Sequence, residues 1–162
     1  MTTAPQTPDA PLTWVKRQVT FETFAADVDA CNSAAYAAGE DVQERRGDPM
    51  TAFPLIMVWR WLEDGFAVNA AMTRSYEACF KPRGYALAYV DDADARAFTA
   101  IAVAPLESAS PGEAQPPRVR AARMREAQLR HLHTLATAER PRRAHLETRH
   151  QRRPLVSYVS RR

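Results

Sequence analysis

Long hydrophobic runs, glycine-rich loops and closely spaced cysteines are all lacking from this 162-residue chain. The most apolar stretch, residues 52–62, contains Arg60 and is far shorter than the ~20 apolar residues that a membrane-spanning helix needs. None of the five glycines belongs to a phosphate-binding loop or a dinucleotide fingerprint. The only two cysteines, Cys31 and Cys79, are too far apart for a Cys-x-x-Cys redox motif.

The residue patterns of metal sites and catalytic centres are also missing. His131 and His133 lie two residues apart on a predicted helix, so their rings point to different faces, and no cysteine is near them. The acidic cluster at residues 91–94 lacks the glycine and the distal glutamate of an EF-hand loop, and we interpret it as a solvated turn. No nucleophile elbow is present. We therefore expect no enzymatic activity, metal, cofactor or small-molecule substrate.

Charge is distributed very unevenly along the chain. The formal net charge is +3, but residues 118–162 carry thirteen arginines, three glutamates and no lysine. This stretch therefore has a charge of +10, and residues 1–117 together carry −7. An acidic body with a basic arm is typical of proteins that hold a charged partner.

The first helix is predicted from an apolar stripe with alternating spacings of three and four residues. Thr20 is a suitable N-cap, and Gly39 is the expected stop, which places the helix at residues 20–38 and an exposed loop at 40–49. Cys31 falls inside the stripe, which consists of Phe21, Phe24, Val28, Cys31 and Ala35.

A second helix is expected to end just after the second cysteine. Tyr76, Cys79 and Phe80 share one face, Pro82 cannot continue the helix, and Gly84 can adopt the left-handed conformation that leads out of it. The alternating residues 85–90 then predict a short strand. Two interpretations of the cysteines remain open, a disulfide between the helices or two buried free thiols.

These residues resemble a known group of proteins. Ala30-Cys31 in a first helix, followed by Tyr76, Cys79 and Arg83-Gly84-Tyr85 at the end of a second, resembles small envelope proteins and lipoproteins of Gram-negative bacteria. The resemblance covers about residues 20–90 and implies a disulfide-stapled helical hairpin with a structural role in the envelope and no activity. The chain differs from that group in having neither a secretion signal nor a lipidated cysteine.

The sequence predicts a mainly α fold, a small helical hairpin with a short β element and extended arms at both ends. We divide it into a proline-rich arm (1–19), a compact helical domain (20–104), a proline-rich linker (105–117) and an arginine-rich helix and tail (118–162). Residues 96–104 are predicted as a further helical turn or as a strand that pairs with residues 85–90.

Partner contacts are expected from tryptophans and from the basic arm. Trp14 would anchor the N-terminal arm on a neighbour or on the body itself. Trp59 and Trp61 flank Arg60, and they suit either a buried core element or an interface with a membrane or a partner subunit. The complete set of predicted partner-binding residues is Trp14, Trp59, Trp61, Arg118, Arg120, Arg123, Arg130, Arg142, Arg143, Arg152, Arg153 and Tyr158.

Two functions follow as hypotheses. The first is a non-catalytic accessory subunit that docks through its arms on protein subunits of a larger, membrane-bound bacterial assembly, with an anionic membrane surface as a further contact. The second is a nucleic-acid-binding protein whose arginines follow the phosphates, although the acidic body argues against it. We expect a peripheral membrane location; the absence of a signal peptide favours the cytoplasmic face, and the resemblance favours the periplasmic one.

Overall fold

The computed structural model describes residues 12–46, 54–107, 116–138, 142–143 and 154–159; for residues 54–64, 102–107 and 142–143 it describes the backbone. The elements, in chain order, are β1 (Leu12–Val15), α1 (Phe21–Arg46), α2 (Pro54–Phe80), β2 (Ala86–Tyr89), α3 (Asp92–Glu107), α4 (Pro117–Thr137), β3 (Arg142–Arg143) and a 3₁₀ helix (Leu155–Tyr158). The predicted mainly α fold with a short β element is confirmed.

Helix α1 begins as predicted but continues past its expected end. The Thr20 hydroxyl accepts a hydrogen bond from the amide of Thr23, which caps the helix. Gly39 does not stop the helix, because it is buried against α2, where an added Cβ would lie 3.2 Å from Cγ of Met72. The glycine thus permits close packing of two helices, and the loop predicted at residues 40–49 is wrong as far as Arg46, where α1 ends.

Helix α2 unites two segments that the sequence analysis treated separately. It runs without interruption from Pro54 to Phe80, so residues 54–62 of the apolar stretch form its beginning and the Cys79 segment its end. Proline is well tolerated in the first helical turn, where its missing N–H has no partner to lose. A disulfide joins Cys31 to Cys79 with a Cα–Cα distance of 5.5 Å, which confirms the first of the two interpretations of the cysteines.

A three-stranded antiparallel sheet, ordered β1-β2-β3, packs beside the hairpin. Strand β2 lies within the predicted strand at residues 85–90 and is reached through Gly84, whose φ is +85°. Strand β1 pairs with it along its whole length, with Trp14 opposite Leu87. Residues 12–15 therefore belong to the body and not to the predicted arm, while residues 1–11 lie outside the described part of the chain.

Helices α3 and α4 pack against each other, and α4 also packs on α1. Helix α3 shows that residues 96–104 are helical, and it buries Phe98. Helix α4 buries Gln128, Leu129, Leu132 and Ala136 and contacts α1, α3 and β1. The boundary predicted at residues 105–117 therefore does not separate α4 from the body. Gln128 is polar, yet it is buried within the same face as the leucines.

Aromatic rings fill the centre of the molecule, where α1, α2, α4 and the sheet meet. Trp14 stacks on Phe80 with ring centroids 5.0 Å apart, and Tyr85 meets Phe80 edge to face at 5.1 Å. From the C-terminal region, Leu155, Val156 and Val159 complete this core. A segment that the sequence analysis placed in a basic tail is thus part of the core.

Candidate partner-binding surface

Helix α4 determines which of its arginines face inward and which face outward. Arg125 forms an ion pair with Asp29 of α1, and its side chain is only 13% exposed. Together with the buried Leu129 and Leu132, this pair fixes the rotation of α4 about its own axis. The sequence analysis did not single out Arg125, because its partner lies 96 residues away in the chain.

The opposite side of α4 carries three of the predicted partner-binding residues. Arg120, Arg123 and Arg130 follow one another at spacings of three and seven residues, which places them on one side of the helix. Arg123 and Arg130 are exposed and Arg120 is half-buried, whereas Arg118 is exposed in the first turn. We call Arg120, Arg123 and Arg130 the basic face.

Local contacts hold the last arginine of the basic face in position. The Nε and Nη2 atoms of Arg130 donate hydrogen bonds of 2.9 and 2.8 Å to Glu126, one helical turn earlier. Its guanidinium also lies 4.4 Å from the ring centre of Phe21 on α1. The side chain remains 61% exposed, so Arg130 is both oriented and accessible to a partner.

Trp14 is part of the core and does not face a partner. Its side chain is 1% exposed and stacks on Phe80. The prediction that it binds a partner is therefore wrong, and it anchors the N-terminal strand on the body of its own chain. Strand alternation explains this result, because Trp14 and its cross-strand neighbour Leu87 point to the same face of the sheet, toward α2.

For several other predicted partner-binding residues, the side chain or the whole residue lies outside the described part of the structure. Trp59 and Trp61 lie on the first part of α2, where the side chains are outside the described part. Arg142 and Arg143 form β3, whose backbone pairs with Tyr89 and Ala88. Arg152 and Arg153 are outside the described residues.

Tyr158 is exposed on a segment that is firmly attached to the hairpin. Its side chain is 58% exposed, while the preceding Leu155, Val156 and Ser157 are buried. Asn32 Nδ2 donates to the carbonyl of Val156 at 2.9 Å, and Tyr36 donates to the carbonyl of Ser157 at 2.7 Å. The spacing of Asn32 and Tyr36, four residues apart on α1, was the sequence signal that the analysis missed.

Asn32 also links this attachment to the second helix. The Tyr76 hydroxyl on α2 donates to its side-chain oxygen at 2.8 Å. The amide of Asn32 is thus used on both sides, as acceptor for α2 and as donor for the C-terminal segment. One side chain therefore couples the hairpin seam to the position of Tyr158.

A polar cluster closes the end of the hairpin next to the disulfide. The Asp27 carboxylate accepts hydrogen bonds from Arg83 Nε at 3.1 Å and from the Tyr85 hydroxyl at 2.9 Å. Burial, and then the bond to Asp27, raises the pKa of Tyr85. Lys16 donates to the carbonyl of Arg83 at 2.7 Å, which ties the end of β1 to the same turn. Arg83 and Tyr85, two residues of the motif that carries the resemblance, thus hold the end of α2 against α1.

The histidines on α4 are occupied by backbone carbonyls. His131 Nε2 lies 3.2 Å from the oxygen of Asp94, and His133 Nε2 lies 2.8 Å from the oxygen of Val19. Across the described ranges, no three His, Cys, Asp or Glu side chains are grouped closely enough to hold a metal ion. None of the helices in that part of the chain combines the length and apolarity needed to cross a membrane.

Comparison with known proteins found no similarity. The chain matches no protein-family model, and searches of curated proteins and of solved structures also gave no match.

Proposed function

We propose that this protein is a non-catalytic accessory subunit that docks on a larger, membrane-bound bacterial assembly. The observation that carries the proposal is the orientation of α4, which buries its leucines and turns Arg120, Arg123 and Arg130 outward on a folded body. Tyr158 provides an exposed aromatic ring on a second, separately anchored segment. The partner is an acidic protein surface, with anionic lipid headgroups beside it.

Arginine suits such a contact better than lysine does. Its planar guanidinium forms paired hydrogen bonds with carboxylates and phosphates and sheds its hydration more easily than an ammonium group. The basic face is attached to the body by the Arg125–Asp29 ion pair and by buried leucines, so binding need not order a mobile helix. Glu126 offsets part of the charge of Arg130.

The disulfide supports a position on the oxidising side of the membrane. Bonds of this kind persist in the bacterial periplasm and are rare in the reducing cytoplasm. The Cys31–Cys79 bond is therefore consistent with the resemblance to envelope proteins, and we propose peripheral association with the periplasmic face.

A pull-down from native membranes in gentle detergent tests the proposal. The variant Arg120→Gln/Arg123→Gln/Arg130→Gln removes the charge of the basic face. The matched control, Arg17→Gln/Arg74→Gln/Arg96→Gln, removes three exposed arginines from other elements.

We expect the wild-type protein and the control to recover membrane subunits at a fixed stoichiometry. Recovery with the basic-face variant should fall about tenfold or more, since three exposed ion pairs contribute roughly 0.5–1 kcal/mol each. Equal loss in the two triple variants, or wild-type protein recovered alone, would contradict the proposal.

Nucleic-acid binding is the alternative, because a row of arginines on one helix face also fits a phosphate backbone. A filter-binding titration with DNA and RNA at low salt distinguishes the two. Retention that falls steeply with salt and disappears in the basic-face variant would favour nucleic acid. No retention at low salt would eliminate this alternative.

A further inference from the structure

The two cysteines of the disulfide are buried to different extents. Cys31 is 0% exposed and belongs to the buried stripe of α1. Cys79 is only partly buried, in the last turn of α2. A reagent approaching the folded protein therefore meets Cys79 first, and Cys31 only after the hairpin opens.

A guanidinium lies against the sulfur of Cys79, the less buried of the two cysteines. Arg83 Nη1 donates to Cys79 Sγ at 3.0 Å and to the carbonyl oxygen of Cys79 at 2.7 Å. Asp27 fixes the other side of this guanidinium, and the backbone turn fixes its base, since the Arg83 amide donates to the carbonyl of Phe80. Arg83 is therefore held next to this sulfur by contacts that do not involve sulfur.

Opposing electrostatic effects act on a thiolate at Cys79. The C-terminal end of α2 carries partial negative charge, which disfavours a thiolate there. Arg83 counters this effect, because it occupies one of the free carbonyls and places its guanidinium, whose charge Asp27 offsets in part, in direct contact with the sulfur. The contact effect outweighs the helix-end effect, since the helix end contributes only about half an elementary charge spread over several groups.

We propose that Cys79 is the sulfur through which the Cys31–Cys79 bond is made and broken by thiol–disulfide exchange, with Arg83 as the residue that activates it. In the dithiol form, the Cys79 thiolate attacks a disulfide-bearing oxidant such as glutathione disulfide. The S–S bond of the oxidant breaks, one glutathione thiolate leaves, and a mixed disulfide forms at Cys79.

Cys31 completes the exchange from inside the hairpin. After losing its proton it attacks Cys79 Sγ and expels the second glutathione as a thiolate. Two electrons pass from the protein to the oxidant, and two protons are released to solvent or to the leaving thiolates. In the reverse direction, a thiolate that attacks Cys79 must expel Cys31 as an anion into an apolar core, which makes reduction of the native bond slow.

The order in which the two cysteines react is tested with glutathione disulfide as the probe. The full-length variants Cys31→Ser and Cys79→Ser are each incubated with it, and the mixed disulfide is followed by intact mass after acid quenching. We expect the chain that keeps Cys79 to react at least about tenfold faster than the chain that keeps Cys31, because Cys79 is the less buried of the two and lies beside a cation. In urea the two rates should converge.

A second pair of variants tests the role of the guanidinium. Arg83→Gln in the Cys31→Ser background should slow the reaction of Cys79 about tenfold. Lys81→Gln is the matched control, because Lys81 is a nearby cation that pairs with Glu77 and has no hydrogen bond to the sulfur. It should change the rate less than about twofold.

Results of three kinds would overturn the proposal. These are equal rates for the two single-cysteine chains under native conditions, a faster reaction at Cys31, and an unchanged rate in Arg83→Gln. If a single-cysteine chain does not fold, the reduced wild-type protein is quenched early in oxidation and its mixed disulfide is located by peptide mapping. Glutathione on the Cys79 peptide supports the assignment, and glutathione on the Cys31 peptide or equally on both refutes it.

Discussion

Reducing the Cys31–Cys79 bond is expected to remove a large part of the stability of the protein. The bond connects residues 48 positions apart. For a loop of that length the chain-entropy relation gives about 14 cal/mol/K, or about 4 kcal/mol near room temperature. A typical domain has only about 5–15 kcal/mol of unfolding free energy in total.

Two altered forms of the protein distinguish the stability contributed by the crosslink from that contributed by burial of the sulfurs. Reduced wild-type protein loses the bond but keeps both side chains in place. The Cys31→Ala/Cys79→Ala variant also loses the sulfur of the fully buried Cys31, which adds about 1 kcal/mol of lost burial. We therefore expect the order of stability to be oxidised protein, then reduced protein, then the double variant.

Urea unfolding followed by far-ultraviolet circular dichroism measures these differences. In urea the reduced protein should unfold with about 4 kcal/mol less free energy, and in thermal melts its midpoint temperature should be roughly 8–16 °C lower. Its dependence on urea should also be steeper, because an unfolded chain without the crosslink exposes more surface. A difference below about 1 kcal/mol between the oxidised and reduced proteins would refute the loop-entropy argument.

Three further predictions concern the helix seam, the C-terminal segment and alkaline pH. In thermal melts Gly65→Ala should stabilise the protein by up to about 1 kcal/mol, since nothing lies near the new methyl group. Gly39→Leu should destabilise it by about 1–3 kcal/mol, because the larger side chain meets Met72. Stabilisation by the leucine would contradict the packing of α1 on α2. Asn32→Ala should destabilise by about 1–3 kcal/mol and speed proteolysis of the C-terminal segment, and unchanged proteolysis would show that the segment is held without it. Because the folded-state pKa of Tyr85 is raised, its contribution to stability is complete below about pH 10 and is lost as the pH rises further. Tyr85→Phe should therefore reduce the fall in stability at alkaline pH. An identical fall in the wild-type protein and the variant would refute this.

The predictions that succeeded depend on short-range patterns. The apolar stripe that contains Cys31 and the Cys79 face of the second helix were visible because helical spacing repeats every few residues. The turn at Gly84 and the strand after it were visible for a similar reason. The pairing of the two cysteines was left open, because spacing on separate helices does not show whether the faces meet.

The predictions that failed depend on neighbours that are distant in the chain. Gly39 has the sequence pattern of a helix stop, and only the approach of Met72 shows that it allows close helix packing. The sequence left open whether Trp14 contacts a neighbour or its own body, and only the sheet shows that it stacks on Phe80. The candidate surface was predicted as a set of arginines and aromatic residues, without the orientation that places three of the arginines on one face.

By itself, the sequence determined the secondary structure near the cysteines, the separation of acidic and basic charge, and the lack of familiar catalytic motifs. Tertiary structure decided that α4 and the C-terminal segment join the core, and that Arg125 faces inward while Arg130 faces outward. The physical reason is that the orientation of an amphipathic or charged helix depends on the surface that it meets. Here Arg125 of α4 meets Asp29, and Val156 of the C-terminal segment meets Asn32. Both contacts join residues about a hundred positions or more apart in the chain.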